Sequence, residues 1–423
     1  MPLRTFQTAG HKGVDLARVE GIQHALAMAA MDAVICTLPQ HVLMLSGYWP
    51  VVGTSLAIAA RGAGTLLIVP DDERELAERS WADACVTFHP GQLERLTTAA
   101  AAVGEPLAEA VRALGLERGC IGYEGGACYT PASYAAMHLY GAGIVTILEQ
   151  TLPAATLVAA DAMLARLCAV KTPREAAAIR TACRLAARAF GSGAAHLRVG
   201  RRETEAAALF RAPLSTLGVG KEGVERADGF VSCMAGTHAA AASGAYARSR
   251  AKALAPRELV LVHCNSYADG YWTDITRTYC LGEPDARQRA LYAAVFEARQ
   301  AALRAIRPGV AAAEVDRAAR AVLTARGFGP CFPHGTGHGV GFAAIDHHAR
   351  PRLHPRSDDT LECGMVFNVE PAIYIEGYGG VRHCDVVALT EHGVEVLTPF
   401  QYDLEQLCLS SDLVLPEEHV TYG

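Results

Sequence analysis

Over residues 1–155, short continuous apolar runs alternate with stretches whose apolar positions recur three and four apart. Runs at 33–36, 42–45, 55–59 and 65–70 read as strands, and 145–148 reads as a closing strand. The segments 15–31, 72–80 and 107–114 carry the helical period, the last of them stopped by Gly115. Strands and helices in alternation predict an α/β unit on a mixed sheet. It contains no GxGxxG or P-loop spacing, so its residues announce no chemistry of their own.

A boundary falls near 153–170, drawn here as 1–158 and 159–423. Beyond it Thr172, Pro173 and Glu175 have the spacing of an N-cap, a first-turn proline and a capping box. They open a helix to about Leu197, and a second follows over 203–217. A stretch rich in Gly, Ala and Ser (236–250) leads to a polar-tipped hairpin over 258–279. The order then repeats. Helices are expected over 285–306 and 313–326, stopped by Pro308-Gly309 and by Gly327, and a second hairpin over 365–390. Helix, helix, hairpin, twice over, predicts an internally duplicated α+β domain with a pseudo-twofold axis, the two hairpins meeting at its centre.

The hairpin faces carry the candidate chemistry. If 267–270 form the first loop, His263 sits opposite Asp274; if Asp269-Gly270 alone turns, Asp274 faces Asn265. In either register His263, Asn265 and Asp274 share one face. A turn centred on Gly377 places Glu370 opposite Cys384 and points His383 the other way. Carboxylates inside apolar strands are costly unless something pairs with them.

Composition narrows the class. The chain has 423 residues, 51% of them hydrophobic, and a formal net charge of −6. That length predicts two domains, and the charge argues against nucleic acid or an anionic membrane as partner. No apolar run is long enough to span a bilayer, and the N-terminus lacks the apolar core of a signal peptide. The 13 cysteines are odd in number and form no CxxC pair, which fits reduced, mostly buried thiols in a cytoplasmic protein.

Between the hairpins lies PHGTGHGVG (333–341), whose glycines allow close backbone approach around His338. Together with GYWTDITRT (270–278), NVEPAIY (368–374) and GGVR with Asp385, this resembles the creatinase/prolidase/methionine-aminopeptidase family, closest to its aminopeptidase P and prolidase branch. The resemblance implies a C-terminal pita-bread domain preceded by a creatinase-like N-terminal domain. It also implies a C–N bond hydrolase, a small-molecule or short-peptide substrate and a homodimer. In the metal-dependent members five ligands (Asp, Asp, His, Glu, Glu) hold two divalent ions. The matching positions here are His263, Asp274, His338, Glu370 and Cys384.

Two of these depart from the family's pattern: His263 replaces the first Asp, and Cys384 the bridging Glu. Two adjacent cations need bridging carboxylates to offset their repulsion, so a single ion is favoured. Imidazole and sulfur favour Zn, Fe or Co over Mn. The alternatives are a metal-free, creatinase-like hydrolase or lyase of a small cationic metabolite, and a silent family member. At the position of the family's substrate-handling His stands Tyr246, a poor base at neutral pH, with His238 the nearest histidine. The later substrate-contacting His matches His348, with His347 as the alternative. The expected catalytic group is therefore His338, Glu370, His348 and Tyr246. His334 stays open between structure and site, Arg382 is expected to pair with an acid, and Arg277 to be structural.

Overall fold

The computed structural model describes residues 13–50, 54–91, 97–125, 142–243, 248–343 and 346–410, with a short strand at Phe6–Gln7. Tyr246 lies outside the described residues. The chain forms two units, the main division falling between Cys168 and Ala169.

The N-terminal unit is a seven-stranded mixed sheet. Its spatial order is Phe6–Gln7, Ala84–Phe88, Gly64–Pro70, Leu56–Ala60, Ala33–Cys36, Cys120–Tyr123, Thr156–Ala159. Leu56–Ala60 runs antiparallel to both neighbours, whereas Ala33–Cys36, Cys120–Tyr123 and Thr156–Ala159 are parallel to one another. Helix Ala99–Ala113 buries Val103, Leu107, Ala110 and Val111 against Ile35, Ile58 and Ile121. Two expected strands are helices. Residues 42–45 belong to helix Pro39–Ser46, which has Pro39 at its first turn and Gly47 at φ 76° as its left-handed cap. Residues 145–148 belong to helix Ala142–Thr151, where Ile144, Ile147 and Leu148 recur at helical spacing into the core. A short buried apolar run has no period to separate the two states, and the flanking Pro and Gly decide.

In the C-terminal unit, Thr172 and Glu175 form the expected capping box at the head of helix Pro173–His196. The paired helices Pro173–His196 and Glu203–Thr216, then Ala286–Ala305 and Ala312–Ala325, each precede a hairpin, giving the duplicated α+β arrangement. The first hairpin pairs Leu259–Ala268 with Tyr271–Trp272 and Ile275–Leu281 through an Asp269-Gly270 turn, both residues at positive φ. Thr276 faces His263, the register of the two-residue primed turn. The other edge of Leu259–Ala268 pairs with Ala227–Ala235, a strand whose mixed polarity hid it from the pattern. In the second hairpin Val369 pairs with Asp385 and Ala372 with Arg382. Glu370 and Cys384 therefore oppose each other between two ladders centred on Gly377.

The hairpins join back to back. The Thr276 N–H donates to the Cys384 carbonyl (3.3 Å), and the Cys384 N–H donates to the Thr276 carbonyl (3.1 Å). On the core side Arg277, fully buried, donates to the Cys384 and Thr398 carbonyls and pairs with Asp385 at 2.7 Å. Arg299 reaches the other Asp385 oxygen at 2.5 Å. His383 lies on this face too, its ring edge-on to Phe296 at 5.3 Å.

None of the 12 described cysteines forms a disulfide, and among the described residues no helix is long and apolar enough to cross a membrane.

Removing the Asp385 charge strands two buried guanidinium groups. Asp385→Asn should therefore lower unfolding free energy by about 3–5 kcal/mol in a denaturant titration, far more than the same change at exposed Asp358.

Candidate metal centre and active site

The even-numbered residues beside the hairpin junction point away from the core into one pocket. Asp274, 3% exposed, stands between two histidines: His263 Nδ1 is 3.6 Å from Oδ1 and His338 Nε2 is 3.5 Å from Oδ2. Glu370 Oε1 lies 3.9 Å from the same His338 nitrogen. Cys384 Sγ donates to the Asp274 carbonyl at 3.1 Å and lies 3.8 Å from Oδ1.

Backbone contacts aim His338. Its segment runs beside Val366–Val369, with His338 O accepting from Asn368 N and Glu370 N donating to Thr336 O. A Cβ on Gly337 would come within 2.0 Å of the Asn368 carbonyl oxygen, and one on Gly339 within 2.2 Å of the Arg350 oxygen. The flanking glycines are thus demanded by backbone proximity. His338 Nδ1 donates to Gly339 O at 3.0 Å, so Nε2 is the nitrogen presented to the carboxylates. Asn368 meets His338 twice: its Oδ1 accepts from the His338 backbone N–H at 2.7 Å, and its Nδ2 lies 3.2 Å from the ring Nε2.

The charges divide unevenly. Burial opposes ionisation of Asp274, but His263, His338 and Arg382 outweigh it and hold its pKa low. Burial, reinforced by Asp274, raises that of Glu370. Burial also works against a charge on His338, yet Asp274 and Glu370 raise its pKa to about 9. A field that attracts a proton there attracts a metal cation equally well. Burial and Arg382 push His263 down to about 4, leaving it neutral at pH 7. Burial and both carboxylates drive the Cys384 thiol well up.

Arg382 does not pair with an acid as expected. Its guanidinium donates to Thr276 Oγ1 (2.9 Å), Tyr374 Oη (3.4 Å) and the Ala242 carbonyl (3.4 Å). Thr276 Oγ1 also meets His263 Nδ1 at 3.0 Å, and Tyr374 Oη meets His334 Nε2 at 3.1 Å. A polar chain therefore runs from His334 through Tyr374, Arg382 and Thr276 to His263. Near the Gly-rich loop, the ring that meets His338 is His347, with centroids 4.7 Å apart. At His348 the backbone N–H is held by Asp346 Oδ1 at 2.9 Å. Asn368, Tyr374 and Thr276 were not singled out in the sequence, although each shares strand parity with a candidate ligand.

The donors fit a divalent ion. Carboxylate oxygens of Asp274 and Glu370 and the Cys384 sulfur all lie within 4.8 Å of one another. His338 Nε2 faces the same two carboxylates.

A duplicated α+β domain with a buried His/Asp/Glu cluster at its hairpin junction, preceded in the chain by a mixed-sheet unit, is the creatinase/prolidase architecture. The chain belongs to metallopeptidase family M24. That family's model matches residues 177–391, and the model for the creatinase/prolidase N-terminal domain matches residues 18–168. The chain is 34% identical to a Xaa-Pro dipeptidase of Pyrococcus furiosus over 244 residues, 58% of this chain and 67% of that protein. It is 32% identical to an uncharacterized peptidase of Staphylococcus aureus, over 57% of this chain and 66% of the relative. The alignments thus span about two-thirds of these relatives' length. Among solved structures, the prolidase of Pyrococcus horikoshii superposes with a TM-score of 0.72 at 25% identity, over 92% of this chain and 99% of that one. A prolidase from Pyrococcus furiosus gives 0.70 at 28%, over 89% and 98%.

Gly337→Ala should destabilise the protein by about 1–3 kcal/mol and abolish metal uptake, measured by denaturation and elemental analysis. Gly191→Ala, where a Cβ meets nothing within 4 Å in helix Pro173–His196, should be neutral or slightly stabilising.

Proposed function

We propose that this chain hydrolyses a C–N bond in a short Xaa-Pro-like peptide or small amide, using one divalent ion held by Asp274, His338 and Glu370 with Cys384 completing the set. The observation that carries the reading is the convergence of these four side chains at the hairpin junction, beside a neutral His263 and a fixed Arg382. Family membership and the Xaa-Pro dipeptidase relative support the reaction class.

A bound ion supplies Lewis-acid polarisation of a carbonyl and a water of lowered pKa. The side chains do the rest. Asp274 and Glu370 bring the negative charge, Gly339 O fixes the His338 ring and Asn368 Oδ1 its backbone. Cys384 gives up its proton on ligation, and its sulfur beside an imidazole favours Zn, Fe or Co over Mn. Two features argue against a second ion. His263 brings no charge where the family has a carboxylate, and its Nδ1 is engaged by Thr276. Arg382 places a permanent positive charge nearby. In a water-poor pocket that guanidinium also stabilises negative charge developing on substrate oxygen. Burial and His338 keep the His347 pKa down at about 3, so at neutral pH it serves as a neutral hydrogen-bonding group. In this reading His347, rather than His348, contacts the substrate.

Elemental analysis of protein purified without chelator or affinity tag is the direct test. Relative to the parent, His338→Ala is expected to lose about one equivalent of Zn, Fe or Co together with dipeptide hydrolysis. Two equivalents of Mn overturn the single-ion reading, and full turnover without metal points to the creatinase-like alternative. The double variant His263→Asp/Cys384→Glu should take up a second ion and gain activity with Mn. His347→Ala should lower kcat by roughly 10²-fold or more, the scale of losing one oxyanion donor. His348→Ala should stay within a few-fold of the parent.

A further inference from the structure

The N-terminal unit holds a second convergence of metal-ligating side chains. Cys36, fully buried, ends strand Ala33–Cys36. His41 lies in the first turn of helix Pro39–Ser46. Glu124, 1% exposed, directly follows Cys120–Tyr123, the parallel neighbour of the Cys36 strand. Cys168 comes from helix Asp161–Ala169. The Cys36 sulfur, a His41 ring nitrogen and a Glu124 carboxylate oxygen all lie within 4.8 Å of one another. Cys168 interacts with His41 but stands outside the group whose donor atoms lie within 4.8 Å of one another.

Part of this cluster has a simpler role. Glu124 accepts from the Thr37 N–H (2.9 Å), the Thr37 hydroxyl (3.2 Å) and the Leu38 N–H (3.0 Å), capping the helix that Pro39 opens. It also contacts His41 Nδ1 at 2.7 Å. Capping explains the carboxylate, but not why an imidazole and a thiol gather on it in an otherwise apolar interior, with a second thiol beside the imidazole.

We propose that Cys36, His41 and Glu124 hold a zinc ion in the N-terminal unit, with Cys168 drawn in as the fourth ligand that closes the site. Two sulfurs, one imidazole nitrogen and one carboxylate oxygen match the donors and coordination number of structural zinc. Ligation releases the two thiol protons to solvent. The ion ties the strand ending at Cys36 to a helix 132 positions later (168 minus 36), cross-linking the unit from within. The site is independent of the hydrolytic reading, since it shares no residue with that pocket.

The test uses the full-length chain carrying Cys384→Ser, which removes the only thiol of the other centre. Cobalt(II) loading should still produce sulfur-to-cobalt charge-transfer absorption in the near ultraviolet. Adding Cys36→Ser or Cys168→Ser should abolish the band and remove about one equivalent of zinc from protein loaded with zinc instead. Cys168 is only half-buried, so its substitution guards against a folding defect at Cys36. In the otherwise native chain, Cys168→Ser should leave dipeptide hydrolysis within a few-fold. No band in Cys384→Ser, or a band that survives either further substitution, overturns the zinc site and leaves the capping network alone.

Discussion

The pair of backbone hydrogen bonds between Thr276 and Cys384 is the constraint on which the C-terminal unit depends. It fuses two hairpins at the midline of the duplication, and strand parity then sorts every neighbouring side chain. Arg277, His383 and Asp385 go inward to a buried ionic core. Asp274, Thr276, Arg382 and Cys384 go outward to the pocket. The ionic core carries a large desolvation cost, which the paired geometry of Arg277 and Arg299 on one carboxylate offsets. Its return is positional, because it holds the Cys384 carbonyl, and therefore the junction, from behind.

The pocket built on that junction is poorer in negative charge than a two-cation centre requires. Asp274 and Glu370 are its carboxylates, and Arg382 stands close enough to shift both. Glu370 and Asp274 already repel each other, and the His338 ring lies between them. One divalent cation relieves that repulsion; a second would face Arg382 and a neutral imidazole. The electrostatic balance and the identity of the ligands therefore favour the same stoichiometry.

Much of this was legible in the sequence because turns and caps leave local marks. The Gly377 centre fixed the second register, so Glu370 opposite Cys384 could be counted out before any coordinates, whereas the first hairpin was narrowed to two registers, between which the structure chooses the Asp269-Gly270 turn. Thr172 and Glu175 marked the helix that opens the second unit. Illegibility began where periodicity stopped. Residues 42–45 and 145–148 are short, uniformly apolar runs, and they look alike as strand or buried helix. His347 and His348 sit in a loop where no period says which ring turns inward. Cys36, His41 and Glu124 meet only through the sheet order, which brings distant segments together without any shared spacing. Arg382 was noticed, but its partners are hydroxyls and a carbonyl that only the folded junction assembles.

The opposition of Glu370 and Cys384 is dictated by where the turn falls, not by what the two side chains are. A carboxylate, a thiol or an inert group can occupy position 384 while both ladders beside it keep their pairing. The junction therefore works as a socket whose wiring can be exchanged one contact at a time. Exchanging the side chains at 263 and 384 would thus change the charge offered to a bound ion while leaving the pairing that holds the junction untouched.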